Sequence, residues 1–138
     1  MRTPIPMAFL ALAACQPAVS PVSVTENPVI SSAAQLVGEY RVASVDGGDL
    51  DLPQGITASV TDSRLAVQSD CIRLAFDYRL DGPALALTPA PVPSCRRGLS
   101  PAEQAIQGAF TAAVQVARTP DGGVQFTGNG RSVTLFSQ

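Results

Sequence analysis

The stretch IRLAFDYRL, residues 72–80, decides the fold. Ile72, Leu74, Phe76, Tyr78 and Leu80 alternate with Arg73, Ala75, Asp77 and Arg79. Successive side chains of a strand point to opposite faces, so this strict alternation describes a strand with one buried face. Shorter alternating runs lie on both sides of it, at residues 40–45, 56–61, 65–68, 84–88, 114–118, 124–127 and 132–136. Turn-forming residues separate them: Asp46-Gly47-Gly48, Asp62-Ser63, Asp81-Gly82-Pro83, Pro120-Asp121-Gly122-Gly123 and Gly128-Asn129-Gly130. The expected class is α+β, mostly antiparallel: a curved sheet or small β-roll or barrel.

One segment breaks the strand rhythm. Ser100-Pro101-Ala102-Glu103 sets a capping serine before a proline at the first helical position, with a glutamate placed to return a bond to the cap. Behind it Ala102, Ile106, Ala109, Phe110 and Ala113 recur at helical spacing, while Glu103, Gln104 and Gln107 fall off that face. One amphipathic helix over about residues 100–112 is therefore expected to lie on the sheet, with Phe110 as a core plug.

The N-terminus reads differently. Arg2 precedes a short apolar run, then Leu12-Ala13-Ala14-Cys15. Charge, short apolar core and small residues in that order form a secretory signal, and the run is too short to span a bilayer. Residues 12–15 resemble the lipobox of bacterial lipoproteins, which implies cleavage before Cys15 and acylation of its sulfur; the alternative is an ordinary signal cut after Ala13. Two or more acyl chains anchor a protein stably, whereas one does so marginally. By the same resemblance, Gln16 in place of an aspartate favours the outer membrane of a Gram-negative bacterium, with the protein facing the periplasm. Residues 16–34 hold prolines and serines without apolar period and read as an extended tether. An edge strand over residues 22–29 is the alternative, opposed by Pro21 and Pro28. The expected organisation is residues 1–14 as cleaved signal, 15–34 as lipidated cysteine and tether, and 35–138 as one folded domain.

Export gives the cysteines their context. With Cys15 assigned to lipid, Cys71 and Cys95 form an even pair in an oxidising compartment, and a disulfide between them is expected. A metal or catalytic thiol is the rival reading, but no histidine and no closely spaced second thiol accompany either cysteine. Because Cys71 stands one residue before the buried phase of the 72–80 strand, its side chain is expected outside the core or at a strand end.

The order Leu36-x-Gly38-x-Tyr40, then Cys71, Tyr78, Asp81-Gly82, Thr88, Cys95, Glu103-Gln104-Ala105 and Phe110 resembles the META domain of heat-inducible outer-membrane lipoproteins. The likeness runs from about Leu36 to Phe136. Tyr40 stands where that family usually has tryptophan, and Asp70-Cys71-Ile72 where it usually has Gly-Cys-Asn. The resemblance implies a curved antiparallel sheet with one helix and an association with envelope and stress, including roles in secretion or drug resistance. It supplies no catalytic residues.

Composition narrows function further. The 138 residues carry 9 cations, all arginine, against 11 acids, a net charge of −2, and no histidine. That balance gives no electrostatic footprint for nucleic acid, and a histidine base or histidine-bound metal is excluded. No cofactor, no metal and no enzymatic activity are expected, and the chain is expected to be monomeric. Two loops are candidates for binding an envelope partner. One contains Asp46, Asp49 and Asp51 in DGGDLD, which reads either as a hairpin turn or as a calcium loop lacking EF-hand spacing. The other contains Arg96 and Arg97, read either as a solvated pair or as a contact for an acidic partner or lipid headgroup. The functional expectation is a non-catalytic envelope lipoprotein acting through partner binding. The alternatives are an inhibitor of a protease or lysozyme, or a carrier of a small apolar ligand.

Overall fold

The computed structural model describes residues 27–50 and 55–138; Cys15, the signal segment and Asp51 lie outside them. Among the described residues nine strands form one sheet: β1 Gly38–Val45, β2 Gly48–Asp49, β3 Thr57–Val60, β4 Arg64–Ser69, β5 Ile72–Asp81, β6 Ala84–Pro89, β7 Gln115–Arg118, β8 Val124–Gly128 and β9 Arg131–Ser137. A single α-helix among the described residues, α1 Pro101–Ala112, joins β6 to β7. Every pairing is antiparallel, in the order β6-β5-β4-β3-β1-β9-β8-β7, with β2 folded back on the end of β1. The two ends of this path come together where the Leu85 N–H donates to the Val114 carbonyl (3.0 Å), so the sheet curls into a nearly closed barrel. A bulge between Val42 and Ser44 helps β1 to bend along β9.

The expected strand rhythm is present. Along β5, Ile72, Leu74, Phe76 and Tyr78 are buried while Arg73, Asp77 and Arg79 are exposed. Register carries the pattern across to β4, where Leu65 faces Phe76 and Val67 faces Leu74. Two hairpins use the left-handed backbone that their sequences favour: Asp46-Gly47 has φ of 51° and 80°, and Asn129-Gly130 has φ of 53° and 75°. Positive φ at both central residues matches the right-handed twist of the flanking strands.

Helix α1 packs on β1, β6, β8 and β9 and closes the core. Its Phe110 is fully buried, with the ring centroids of Phe76 5.6 Å and Phe126 5.1 Å away. These three rings, with Leu65, Ile106, Val116, Val124 and Leu135, fill the interior.

The folded body begins earlier than Gln35, the boundary expected from composition. Ile30 is buried, its N–H donates to the Val116 carbonyl (2.8 Å), and the Arg118 N–H donates to the Pro28 carbonyl (2.8 Å). Val29 bridges Ala117 of β7. Prolines exclude a central strand but allow the first residue of an edge pairing, and Pro28 stands at that end, contributing only its carbonyl. A short 3-10 turn, Ala33–Gln35, then leads into β1, and Leu36 enters the core. Buried Tyr40 donates its hydroxyl to the Leu36 carbonyl (2.6 Å), and Tyr78 donates to that of Thr61. Burial raises the pKa of both phenols, which keeps them protonated as donors.

Candidate functional site

Glu103 departs most from the sequence expectation. Placed off the apolar helix face by spacing, it is only 4% exposed. As the third residue of the helix it completes the capping box: Ser100 Oγ accepts from the Glu103 N–H, and Glu103 Oε2 accepts from the Ser100 N–H (2.8 Å). The same carboxylate receives a two-pronged bond from Arg97, Nη1 to Oε2 (2.9 Å) and Nη2 to Oε1 (2.8 Å), and a hydroxyl bond from Ser69 (2.7 Å). These donors replace the water lost on burial, which is the condition for burying a charge. The Arg97 guanidinium, aided by Ser100 and Ser69, holds the Glu103 carboxyl at about 2.

A pH dependence follows from that depression. Glu103 stabilises the fold while it is ionised in both states, above its ordinary value of 4.5, and this contribution disappears as pH falls through that value toward about 2. Denaturant unfolding between pH 5 and pH 2 should therefore show an acid limb that Glu103→Gln flattens, and Glu103→Ala should cost about 2–3 kcal/mol at neutral pH. An unchanged acid limb in Glu103→Gln would show that other carboxylates produce it.

Arg97 is thus tied to the helix start, with Asp70 as a further partner at 3.9 Å, although its side chain is 40% exposed; Arg96 is exposed as well. Asp46 is engaged in the same way. Arg131 binds its carboxylate (2.8 Å), the Ser132 N–H adds a bond (3.2 Å), and Arg131 also donates to the Ala105 carbonyl (3.1 Å). The Arg131 bond is the main cause that lowers the Asp46 pKa. The DGG turn is a hairpin, and Asp49 in it is exposed. Both candidate loops are therefore tied to the first turns of α1, through Glu103 and Ala105. Of the proposed contact residues that are described, Arg96 and Asp49 are the exposed ones without an ion-pair partner among the described residues.

Cys71 and Cys95 stand at disulfide distance, their Cα atoms 5.7 Å apart. Cys71 occupies the exposed turn between β4 and β5, in keeping with the register expectation of a position outside the core. The pair joins that turn to the segment between β6 and α1. That segment has a second tie, since the Ala90 N–H donates to the Ala75 carbonyl (2.8 Å). Between the two ties Pro91, Val92 and Pro93 stand over the outer face of the sheet.

There they wall a groove of about 370 Å³. Its floor includes Ala66 and Ala75, neighbours across β4 and β5, and its rim carries Glu39, Ser59, Arg64, Gln68 and Arg73. Arg64 is paired with Asp77 (2.9 Å), and Ser59 donates to Glu39 (2.7 Å). Arg73 has no ion-pair partner among the described residues. Sequence reasoning missed this groove because it depends on which outward residues stand in register on strands distant in sequence, and on a loop lying over them.

Fold and site together define a nearly closed antiparallel barrel with one core helix and a groove on its outside. No protein-family model matches the chain, and no curated protein does. Among solved structures, it is similar to one described as the NMR structure of the protein from Burkholderia xenovorans, with a TM-score of 0.55 and 18% identity over 97% of this chain and 99% of that one. At that identity the likeness concerns the fold alone.

Proposed function

We propose that this chain is a lipid-anchored, non-catalytic envelope protein of the META type, held at the outer membrane through Cys15 and acting as a monomer by binding an envelope partner. The observation that carries this reading is the sequence Leu12-Ala13-Ala14-Cys15 ahead of a single folded body. A barrel whose interior is occupied by Phe76, Phe110 and Phe126 supports recognition on the outside and disfavours the carrier. The exposed Val92, flanked by prolines on a doubly tied loop, is the feature that favours the inhibitor reading. Arg96 and Asp49 are the candidate charged contacts beyond the groove.

Mass spectrometry of the mature N-terminus should find an acylated cysteine, and Cys15→Ser should move the protein from the membrane to the soluble periplasmic fraction. An unmodified terminus beginning at Ala14 would overturn the anchor. Crosslinking in intact envelopes should recover a partner that is reduced in an Arg96→Ala and Asp49→Ala variant. A single dominant protease or lysozyme would select the inhibitor instead, and turnover of an envelope substrate lost with one side chain would refute the non-catalytic reading.

A further inference from the structure

The geometry points to the outer groove as a binding site for a short extended peptide that carries a free amino group at one end and a carboxylate at the other. The inference deepens the partner-binding reading and rests on it. Glu39 and Arg73 lie at opposite sides of the groove, on β1 and β5, with β3 and β4 between them. Three inter-strand spacings separate those strands, about 14 Å, which an extended chain of about four residues covers.

The charges are complementary to such a ligand. Glu39 retains an oxygen beyond the one that accepts from Ser59, and it can receive an ammonium group. Arg73, without an ion-pair partner among the described residues, offers a planar donor fork to a carboxylate. Between them the methyl groups of Ala66 and Ala75 let a backbone approach closely, and Thr57, Ser59 and Gln68 supply hydroxyl and amide groups for its N–H and C=O. The wall adds apolar contact through Val92, 40% exposed, and its prolines present no competing N–H. Among the described residues no aromatic ring lines the groove, so a flat base or sugar ring finds no stacking platform there. The wall is fixed at Ala90 and at Cys95, so the groove keeps its width without a ligand. That preorganisation lowers the ordering cost of binding.

The test is titration of the nitrogen-15-labelled full chain, in detergent micelles, with tetra-alanine and with its N-acetylated and C-amidated forms. Free tetra-alanine at millimolar concentration should shift the amides of Ser59, Ala66 and Ala75. N-acetylation should weaken binding about fivefold, the scale of an exposed charge pair, and should have no further effect in Glu39→Gln. C-amidation should do the same with respect to Arg73→Gln. Arg79→Gln, on the same strand outside the groove, should preserve both discriminations. Equal binding of free and blocked peptides, discrimination that survives in both groove variants, or no shift at these amides would each overturn the proposal. Should an envelope partner still crosslink to the protein while tetra-alanine fails, the ligand class falls and the partner-binding reading stands.

Discussion

Phe110→Ala should lose about 3–5 kcal/mol of unfolding free energy, the range for truncating a fully buried aromatic ring. Phe110 of α1 meets both Phe76 of β5 and Phe126 of β8, strands from opposite arms of the sheet. Its removal leaves a void that neither arm can fill without moving the helix, and the helix is held at its start by the Ser100 capping box and Arg97. The cavity term should therefore add to the lost transfer energy. Urea titration should show a lower midpoint with an unchanged slope, and Phe110→Leu should recover more than half of the loss. A loss under about 1 kcal/mol would mean that the core closes over the gap, and that the helix is less fixed than its caps indicate.

Removing the Cys71–Cys95 link should cost about 3.5 kcal/mol, the loop-closure value for a separation of 24 residues. The double variant Cys71→Ala with Cys95→Ala should show this loss in denaturant. The unsubstituted protein should show it on adding a reductant, and thiol labelling of the oxidised fold should find neither cysteine reactive. The site of the effect is specific. Without the link the segment ahead of α1 keeps the Ala90 bond to Ala75 and the Arg97 pair with Glu103, so backbone amide order parameters should fall between them, at Val92 and residues 94–96. A double variant as stable as the parent would show that those two contacts hold the segment alone, or that the thiols stay apart.

Much of this architecture was legible in the chain. Period-two alternation at residues 72–80 located β5, and the turn dipeptides located its neighbours, because burial on one face imposes the pattern and left-handed turns impose Gly and Asn. The helix and its capping box were equally plain, since both are local. Glu103 was not. Its spacing assigns it to the polar face, and only the approach of Arg97 and Ser69 in three dimensions makes its burial tolerable. Asp46 and Arg131, 85 residues apart, follow the same rule: charges that look free in sequence are neutralised by partners that the fold brings to them. The groove was the least legible, because alternation reports which side chains point outward and says nothing about what lies beside them in register. The domain start was misplaced for a related reason. Pro28 and the serines at 31 and 32 suggest a tether, while Ile30 between them enters the core.

The pairing of residues 28–30 with β7 has a mechanical consequence. Tension applied to the chain ahead of Asn27 reaches the barrel first through two backbone hydrogen bonds, Pro28 with Arg118 and Ile30 with Val116, and through the Ile30 side chain. These contacts load before β1, whose pairings with β3 and β9 are far more extensive. When they part, residues 27–34 can extend to at most about 28 Å, as far as the Gln35 carbonyl held by Arg118 and Leu36 held in the core, while the barrel strands stay paired. Under load from that side this strap is the contact that gives way first, ahead of any paired strand of the barrel.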